Sequence, residues 1–434
     1  METCTYTPRI IDAQIADALA NVPAICIEGA KGVGKTITAK RFAKTVLELD
    51  NPATREALLN NLDSLATLPR PVLIDEWQQA PDTWNKIRRL VDAGAPKGSF
   101  ILTGSVSKTD ASLHSGAGRI LALRMRPFAL AERLARPASG GRVSLAALLD
   151  QQTPFSLALP GKTSVSFSFA DYAKEITRSG FPGMRDAGAG YTGELVASYL
   201  QYAVTRDFAA QGVSVRRPAS LMRWLKAYAA AVSTDAGYGE ILDASTPGEA
   251  DKPARGTTIA YRDALERLWL LDELPPWLDG GNYFSRLKQT PRHHLADPAL
   301  VCSLLGIDTA DLLAGRAQSP FDAKHGTFAG RLFESLLVQS VRAYADANRA
   351  TVSYLRTQTG NREVDLIIQK KRRIVAFEVK LSPTVSDDDT HHLAWLKEQL
   401  GNNLADAAVL TAGNECYRRK KDGVAVIPAA LLAP

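Results

Sequence analysis

Residues Gly29 to Thr36 read G-A-K-G-V-G-K-T, a complete G-x-x-x-x-G-K-[ST] pattern, and they stand between a short apolar run and a helix-like segment. Ala24-Ile25-Cys26-Ile27 has the β-branched, apolar character of a buried strand, and Ile37 to Lys44 alternates apolar and basic residues at helical spacing. Strand, glycine loop and helix together give a phosphate-binding loop. Gly29, Gly32 and Gly34 let the backbone converge, so that N–H groups from Gly29, Ala30, Lys31, Gly32, Val33 and Gly34 face phosphate oxygens. Lys35 supplies a point charge to the β and γ phosphates, and the Thr36 hydroxyl is placed to ligate Mg²⁺. The motif thus implies a bound nucleoside triphosphate with Mg²⁺.

About forty residues downstream, Pro71-Val72-Leu73-Ile74-Asp75-Glu76 is an apolar strand ending in two carboxylates. Alone, such a pair often caps the next helix. After a complete phosphate loop it reads as a Walker B pattern, with Asp75 on the metal and Glu76 polarising the attacking water. Val46 to Leu49, Ser99 to Leu102 and Ile120 to Leu123 are further strand-like runs. Five strands alternating with helices predict a parallel sheet covered on both faces.

The chain has 434 residues, enough for roughly three domains. Hydrophobic residues at 45% and charged ones at 23% are ordinary for a globular protein and exclude bulk disorder. The start, Met1-Glu2-Thr3-Cys4-Thr5, lacks the basic and apolar regions of a secretory leader, and no run approaches a membrane span. A cytoplasmic protein with no membrane partner is expected. Cys4, Cys26, Cys302 and Cys416 are scattered, as reduced thiols would be. The net charge of +6 is a weak bias over the whole chain. It concentrates in Lys370-Lys371-Arg372-Arg373 and Arg418-Arg419-Lys420-Lys421, either a phosphate-seeking surface or solvated turns.

Residues 136 to 315 open with a connection rich in Pro, Ser, Gly and Gln, and helical periodicity begins at Asp171. Helices near Leu221 and from Thr257 to Leu271, with a strand-like stretch near Phe284 to Lys288, follow the order of a winged helix. Thr257, Thr258, Tyr261 and Arg262 would then begin its recognition helix. The neighbouring Asp263, Glu266, Asp272 and Glu273 favour a packing or oligomerisation role at least as well as DNA binding.

Residues 320 to 434 carry a second constellation. A helix from Phe328 to Ala343 holds Glu334, and strands follow at Val352 to Thr357, Glu363 to Ile368 and Ile374 to Lys380, with a helix and a final strand, Ala407 to Leu410, after them. Alternation puts Glu378 and Lys380 on one face, and the turn at Lys370 to Arg373 brings Asp365 beside them. Asp365 and Glu378 would hold a divalent metal, Glu334 would add a ligand, and Lys380 would steady or deprotonate a water. The E-V-D…F-E-V-K pattern resembles the PD-(D/E)xK nucleases, with Val364 where that name has proline. A charged sheet edge with a Glu378–Lys380 salt bridge, or a nuclease-like fold that binds without cutting, would carry the same residues.

G-A-K-G-V-G-K-T, L-I-D-E-W-Q-Q-A-P, I-L-T-G-S, G-R-I-L-A-L-R-M-R-P-F, I-T-R-S-G-F-P-G and G-N-R-E-V-D-L-I-I…F-E-V-K together resemble bacterial and archaeal AAA ATPases with a carboxy-terminal domain of unknown function. The resemblance implies an AAA+ P-loop domain over 1–135, a linker and helical winged-helix-like domain over 136–315, and a restriction-endonuclease-like α/β domain over 320–434. It implies ATP as the triphosphate, Thr103 or Ser105 as a polar sensor of the γ phosphate, and Arg119 as an arginine finger that completes a neighbour's site in a homo-oligomer. Two functions then stand open. One is a Mg²⁺-dependent ATPase coupled to a DNA-binding or DNA-cleaving domain. The other is a nucleotide switch that binds protein partners, as a defence or toxin–antitoxin regulator would, with a catalytically inactive nuclease-like domain.

Overall fold

The computed structural model describes residues 6–105, 118–134, 141–150, 164–188, 190–208, 217–246, 255–278, 290–322, 326–357 and 360–434. Contacts group the chain into two compact units, Met1–Arg126 with Asp263–Leu270, and Pro127–Arg262 with Leu271–Pro434. The sequence modules 136–315 and 320–434 both fall in the second, apart from residues 263–270.

The first unit runs α1 (Ile11–Asn21), β1 (Ala24–Glu28), α2 (Lys35–Lys40), β2 (Thr45–Glu48), α3 (Pro52–Asn60), β3 (Val72–Asp75), α4 (Asp82–Asp92), β4 (Phe100–Gly104) and β5 (Ile120–Arg124). Its five strands lie in the order β2-β3-β4-β1-β5, all parallel. β3 and β4 are buried along their whole length, as strands covered on both faces must be. Their side chains pack with Trp77, Trp84, Ile87 and Leu65 in one apolar core. Helix signals are local: Pro52 opens α3, and the Asn51 side chain accepts from the Ala53 N–H at 3.0 Å. The helix after the glycine loop is shorter than its periodicity predicts. It ends at Lys40, where Arg41 turns back to the Thr38 carbonyl and the chain enters β2.

In the second unit, β7 (Thr351–Arg356), β8 (Glu363–Lys370) and β9 (Arg373–Lys380) pair antiparallel, and β10 (Leu404–Thr411) and β12 (Ala425–Pro428) continue the sheet in parallel. The short β11 (Tyr417–Arg418) closes the edge, giving the order β11-β12-β10-β9-β8-β7. Strands beyond Leu410 are not evident in the sequence, because they are short and flank a charged turn. β6 (Val143–Ser144) pairs separately with β13 (Leu432–Ala433). The long helix Phe328–Ala347 packs on the sheet, and His391–Leu400 shares a core with Ile367, Ala376 and Val409.

Three further helices, Pro218–Ala230, Tyr238–Ala244 and Arg255–Arg267, follow one another in the chain. Tyr261, which a recognition helix would present to solvent, is instead buried against the Trp224 ring. After them Leu271 and Leu274 pair antiparallel with Leu295 and Arg292. The strand expected at Phe284 to Lys288 lies outside the described residues.

A buried ion network fixes the second unit. The Arg133 guanidinium donates to the Phe128 and Glu175 carbonyls at 2.7 and 2.8 Å, to Asp297 at 3.1 Å and to Gln339 at 3.0 Å. Asp297 also accepts the Gly180 N–H at 2.7 Å, and Arg185 grips Glu175 with two bonds of 2.8 and 2.9 Å. A Cβ on Gly180 would stand 2.4 Å from Arg133 Nη2 and 2.9 Å from the Phe128 carbonyl oxygen. The glycine of I-T-R-S-G-F-P-G is thus a packing requirement. Gly180→Ala should lower stability by about 1–3 kcal/mol through overpacking, read as an earlier midpoint in urea unfolding; an unshifted midpoint would show that the network relaxes freely.

Candidate nucleotide site and a second carboxylate cluster

The loop after β1 carries its glycines at positive φ, 154° at Gly29, 79° at Gly32 and 101° at Gly34, backbone that side chains disfavour. Gly29 has a second constraint, since a Cβ there would lie 2.2 Å from the Met125 carbonyl oxygen. Arg9 clamps the far side, donating to the Val33 carbonyl at 2.8 Å and the Arg126 carbonyl at 2.7 Å. No motif marks Arg9, and only its burial and its reach to the loop reveal it.

Lys35 is buried, and its ammonium donates to the carbonyls of Gly29 and Ala30, each at 2.9 Å. An ammonium has three donors, so two hold the lysine against its own loop and the third remains for a phosphate oxygen. Burial pushes the Lys35 pKa down to about 8, against the pull of Glu76 and Asp75.

Because β4 lies between β1 and β3, the ends of all three strands meet beside the loop. Asp75 is buried there and accepts the Thr36 hydroxyl at 2.9 and 3.1 Å. The Thr103 hydroxyl also donates to Asp75, and it accepts the Glu76 N–H at 3.2 Å. Glu76 turns into the left-handed region at φ 53°. One of its oxygens accepts from Ser105 at 2.8 Å, the other from the Gln78 amide. Thr103 and Ser105, the two sensor alternatives, therefore touch different carboxylates. Gly104 between them is needed, since a Cβ would sit 2.7 Å from Trp77 Nε1.

Arg119 stands elsewhere. It precedes β5, whose Ile120 lies opposite Ala24 at the start of β1, whereas the loop leaves from Glu28. A five-residue strand, about 13 Å, separates that edge from the phosphate loop. Arg119 is exposed and donates to Asp92 at 2.8 Å.

In the second unit the structure gathers Glu334, Asp365, Glu378 and Lys380, and adds two residues the motif does not contain. Arg292 is buried, with Nη1 donating to Glu334 at 2.6 Å and to Asp365 at 3.1 Å, and Nη2 donating to Glu363. The other Asp365 oxygen accepts the Val379 N–H at 2.9 Å, and Glu378 lies beside Asp365 with its Oε1 buried and without a hydrogen-bond partner. Burial would raise the Asp365 pKa, but Arg292 and Lys380 beside it hold it below the usual range. Burial and the neighbouring Asp365 push Glu378 well up, and burial lifts Glu334 to about 8. Lys380 is raised by Glu378 and Asp365 despite its own burial, and lies 3.8 Å from Asp389. Among the described residues no group of three or more His, Cys, Asp or Glu side chains is disposed to hold a metal ion.

The basic cluster at Arg418 to Lys421 is largely matched within the chain. Arg418 holds Asp406 with two bonds of 2.9 and 3.1 Å, Arg419 meets Asp387 and Asp422, and Lys421 meets Asp387. In the other cluster Lys370 lies 3.5 Å from Asp150, while Lys371 and Arg372 are exposed. Cys26, Cys302 and Cys416 are free thiols, and Cys4 lies outside the described residues. Among the described residues no helix is long and apolar enough to cross a membrane.

Residues 21–134 match a family described as an AAA domain. The first unit carries a P-loop ATPase domain. Residues 169–311 and 329–432 match two families described as domains of unknown function, DUF8612 and DUF4143. An uncharacterized protein of Mycobacterium tuberculosis and one of Mycobacterium bovis are each 26% identical over 428 residues, 96% of this chain and 82% of the relative. A Walker-type ATPase of Pyrococcus abyssi is similar in structure, with a TM-score of 0.39 and 12% identity over 69% of this chain and 96% of that one.

The lysine sets a pH limit on phosphate binding by this domain. Only the protonated ammonium attracts phosphate, and a bound phosphate would raise its pKa, so affinity is full below about 8 and lost as pH rises above it. ATP titrations from pH 7 to about 9.5 should show affinity falling toward tenfold per unit above that pKa; a flat profile would contradict a depressed Lys35.

Proposed function

We propose that the chain is a Mg²⁺-dependent ATPase whose nucleotide state is passed to the carboxy-terminal domain. The observation that carries the reading is the chain of contacts from Thr36 through Asp75 to Thr103, which joins the phosphate loop, the Walker B strand and the strand between them. Thr36 and Asp75 fit a Mg²⁺ ion, being a hydroxyl and a carboxylate already in contact at the mouth of the loop. The metal would supply charge to the β and γ phosphate oxygens. Lys35 offers its remaining donor to the same oxygens, and Glu76 accepts the proton of the attacking water once released from Ser105 and Gln78. Thr103 keeps Glu76 in register through its backbone N–H.

Arg119 stands at the opposite end of the strands from its own loop and is paired with Asp92, so a finger role would fall to the site of a neighbouring copy and would need that pair to open. For the output, a nuclease-like domain coupled to DNA and a silent domain bound to protein remain the two readings. The pairing of Arg418, Arg419 and Lys421 with aspartates favours the second, since little of that charge is left for phosphates.

Turnover decides the core of this reading. Lys35→Ala should lose ATP binding, and Glu76→Gln should keep binding while hydrolysis falls on the order of 10²–10⁴-fold. Specific activity should rise with protein concentration and stop doing so in Arg119→Ala. Hydrolysis that DNA stimulates would favour the DNA-coupled reading, and hydrolysis indifferent to DNA, with plasmid left intact in Mg²⁺ or Mn²⁺, the protein-switch one.

A further inference from the structure

We infer that Arg292 is the resident cation of the carboxylate cluster in the second unit, filling from within the chain the place a divalent metal would take and closing the site to metal. The inference rests on the nuclease-like reading of that domain, and its test reads metal binding alone, so the two fail separately.

The geometry leaves no second cation position between the same oxygens. A Mg²⁺ or Mn²⁺ ion bridging Glu334 and Asp365 needs contacts of about 2.0–2.2 Å to both. Those oxygens already lie 2.6 and 3.1 Å from a single nitrogen, Nη1 of Arg292, so the bridging volume is that of the nitrogen itself. Nη2 takes Glu363, and the guanidinium stacks over the Tyr354 ring with its carbon 4.8 Å from the centroid. The remaining Asp365 oxygen accepts the Val379 N–H.

Nor is the arginine poised to leave. Its N–H donates to the Leu274 carbonyl at 2.9 Å and its carbonyl accepts the Leu274 N–H at 2.9 Å. The next residue is held the same way, His293 N–H on the Thr234 carbonyl at 2.9 Å and Ser233 N–H on the His293 carbonyl at 2.8 Å. A guanidinium does not deprotonate in a protein, so the arginine keeps its own charge. Asp365, Glu378 and Lys380 thus keep the positions of a nuclease motif while an internal arginine supplies the positive charge. So built, the cluster is neutralised from within the chain.

Mn²⁺ binding to the nucleotide-free full chain, followed by electron paramagnetic resonance, tests this directly. Wild type and Asp365→Asn should bind the same number of ions, because the cluster contributes none, and any ion at Thr36 and Asp75 is common to both. Arg292→Met should bind one ion more than wild type, and Arg292→Lys should bind none extra. A Mn²⁺ ion bound by wild type and lost in Asp365→Asn would overturn the inference. So would a folded Arg292→Met that gains no ion. Should Arg292→Met fail to fold, the comparison of wild type with Asp365→Asn decides alone.

Discussion

Asp75 is a carboxylate at the end of a strand buried on both faces, and a buried charge without partners costs several kcal/mol. The first unit is arranged around meeting that demand. Thr36 comes from the helix behind the phosphate loop and Thr103 from the adjacent strand, so satisfying one carboxylate aligns three elements. The strand order serves the same requirement: β4 lies beside β3, so its Thr103 end reaches Asp75. Gly104 next in the chain then has to be glycine, because the strand end is drawn against the Trp77 indole. A nucleotide site and a packing core are here the same set of contacts.

The second unit obeys the rule with the signs exchanged. The Arg133 side chain is wholly buried and draws in Asp297, Gln339 and the Glu175 carbonyl from sequence-distant elements, along with the nearby Phe128 carbonyl. Arg292 does the same among Glu334, Glu363 and Asp365. Both arginines convert buried charge into specific geometry, since a planar fork of five donors fits carboxylates in few orientations. Whether such networks add net stability is a separate matter, because desolvation offsets much of the attraction.

How much of this was legible in the sequence depended on range. The phosphate loop and the strands around it are encoded within a few residues, by glycines at positive φ and runs such as Val72-Leu73-Ile74, and the expected five-stranded parallel sheet is present. The carboxylates of the second cluster are legible too, through strand alternation at Glu378 and Lys380. Arg292 is not, because it is 42 residues from Glu334 and 73 from Asp365 and belongs to no periodic pattern. Tyr261 shows the limit of helical periodicity, which separates faces without saying which one is covered. The short strands β11, β12 and β13 carry too few residues to show alternation.

The two charged sites differ most in what their donors leave over. Around the phosphate loop each polar group keeps an unused valence: Lys35 a third N–H, Thr36 its hydroxyl lone pairs, Glu76 two bonds to neutral donors that a stronger partner can replace. Such a site is stable alone and still has something to offer an incoming triphosphate. Around Arg292 the opposite holds, with Glu334, Glu363 and Asp365 directed onto one guanidinium whose backbone is pinned on both sides. Motif residues mark both places equally well in the sequence. What separates an open site from a closed one is whether the buried charge is satisfied by groups that can let go.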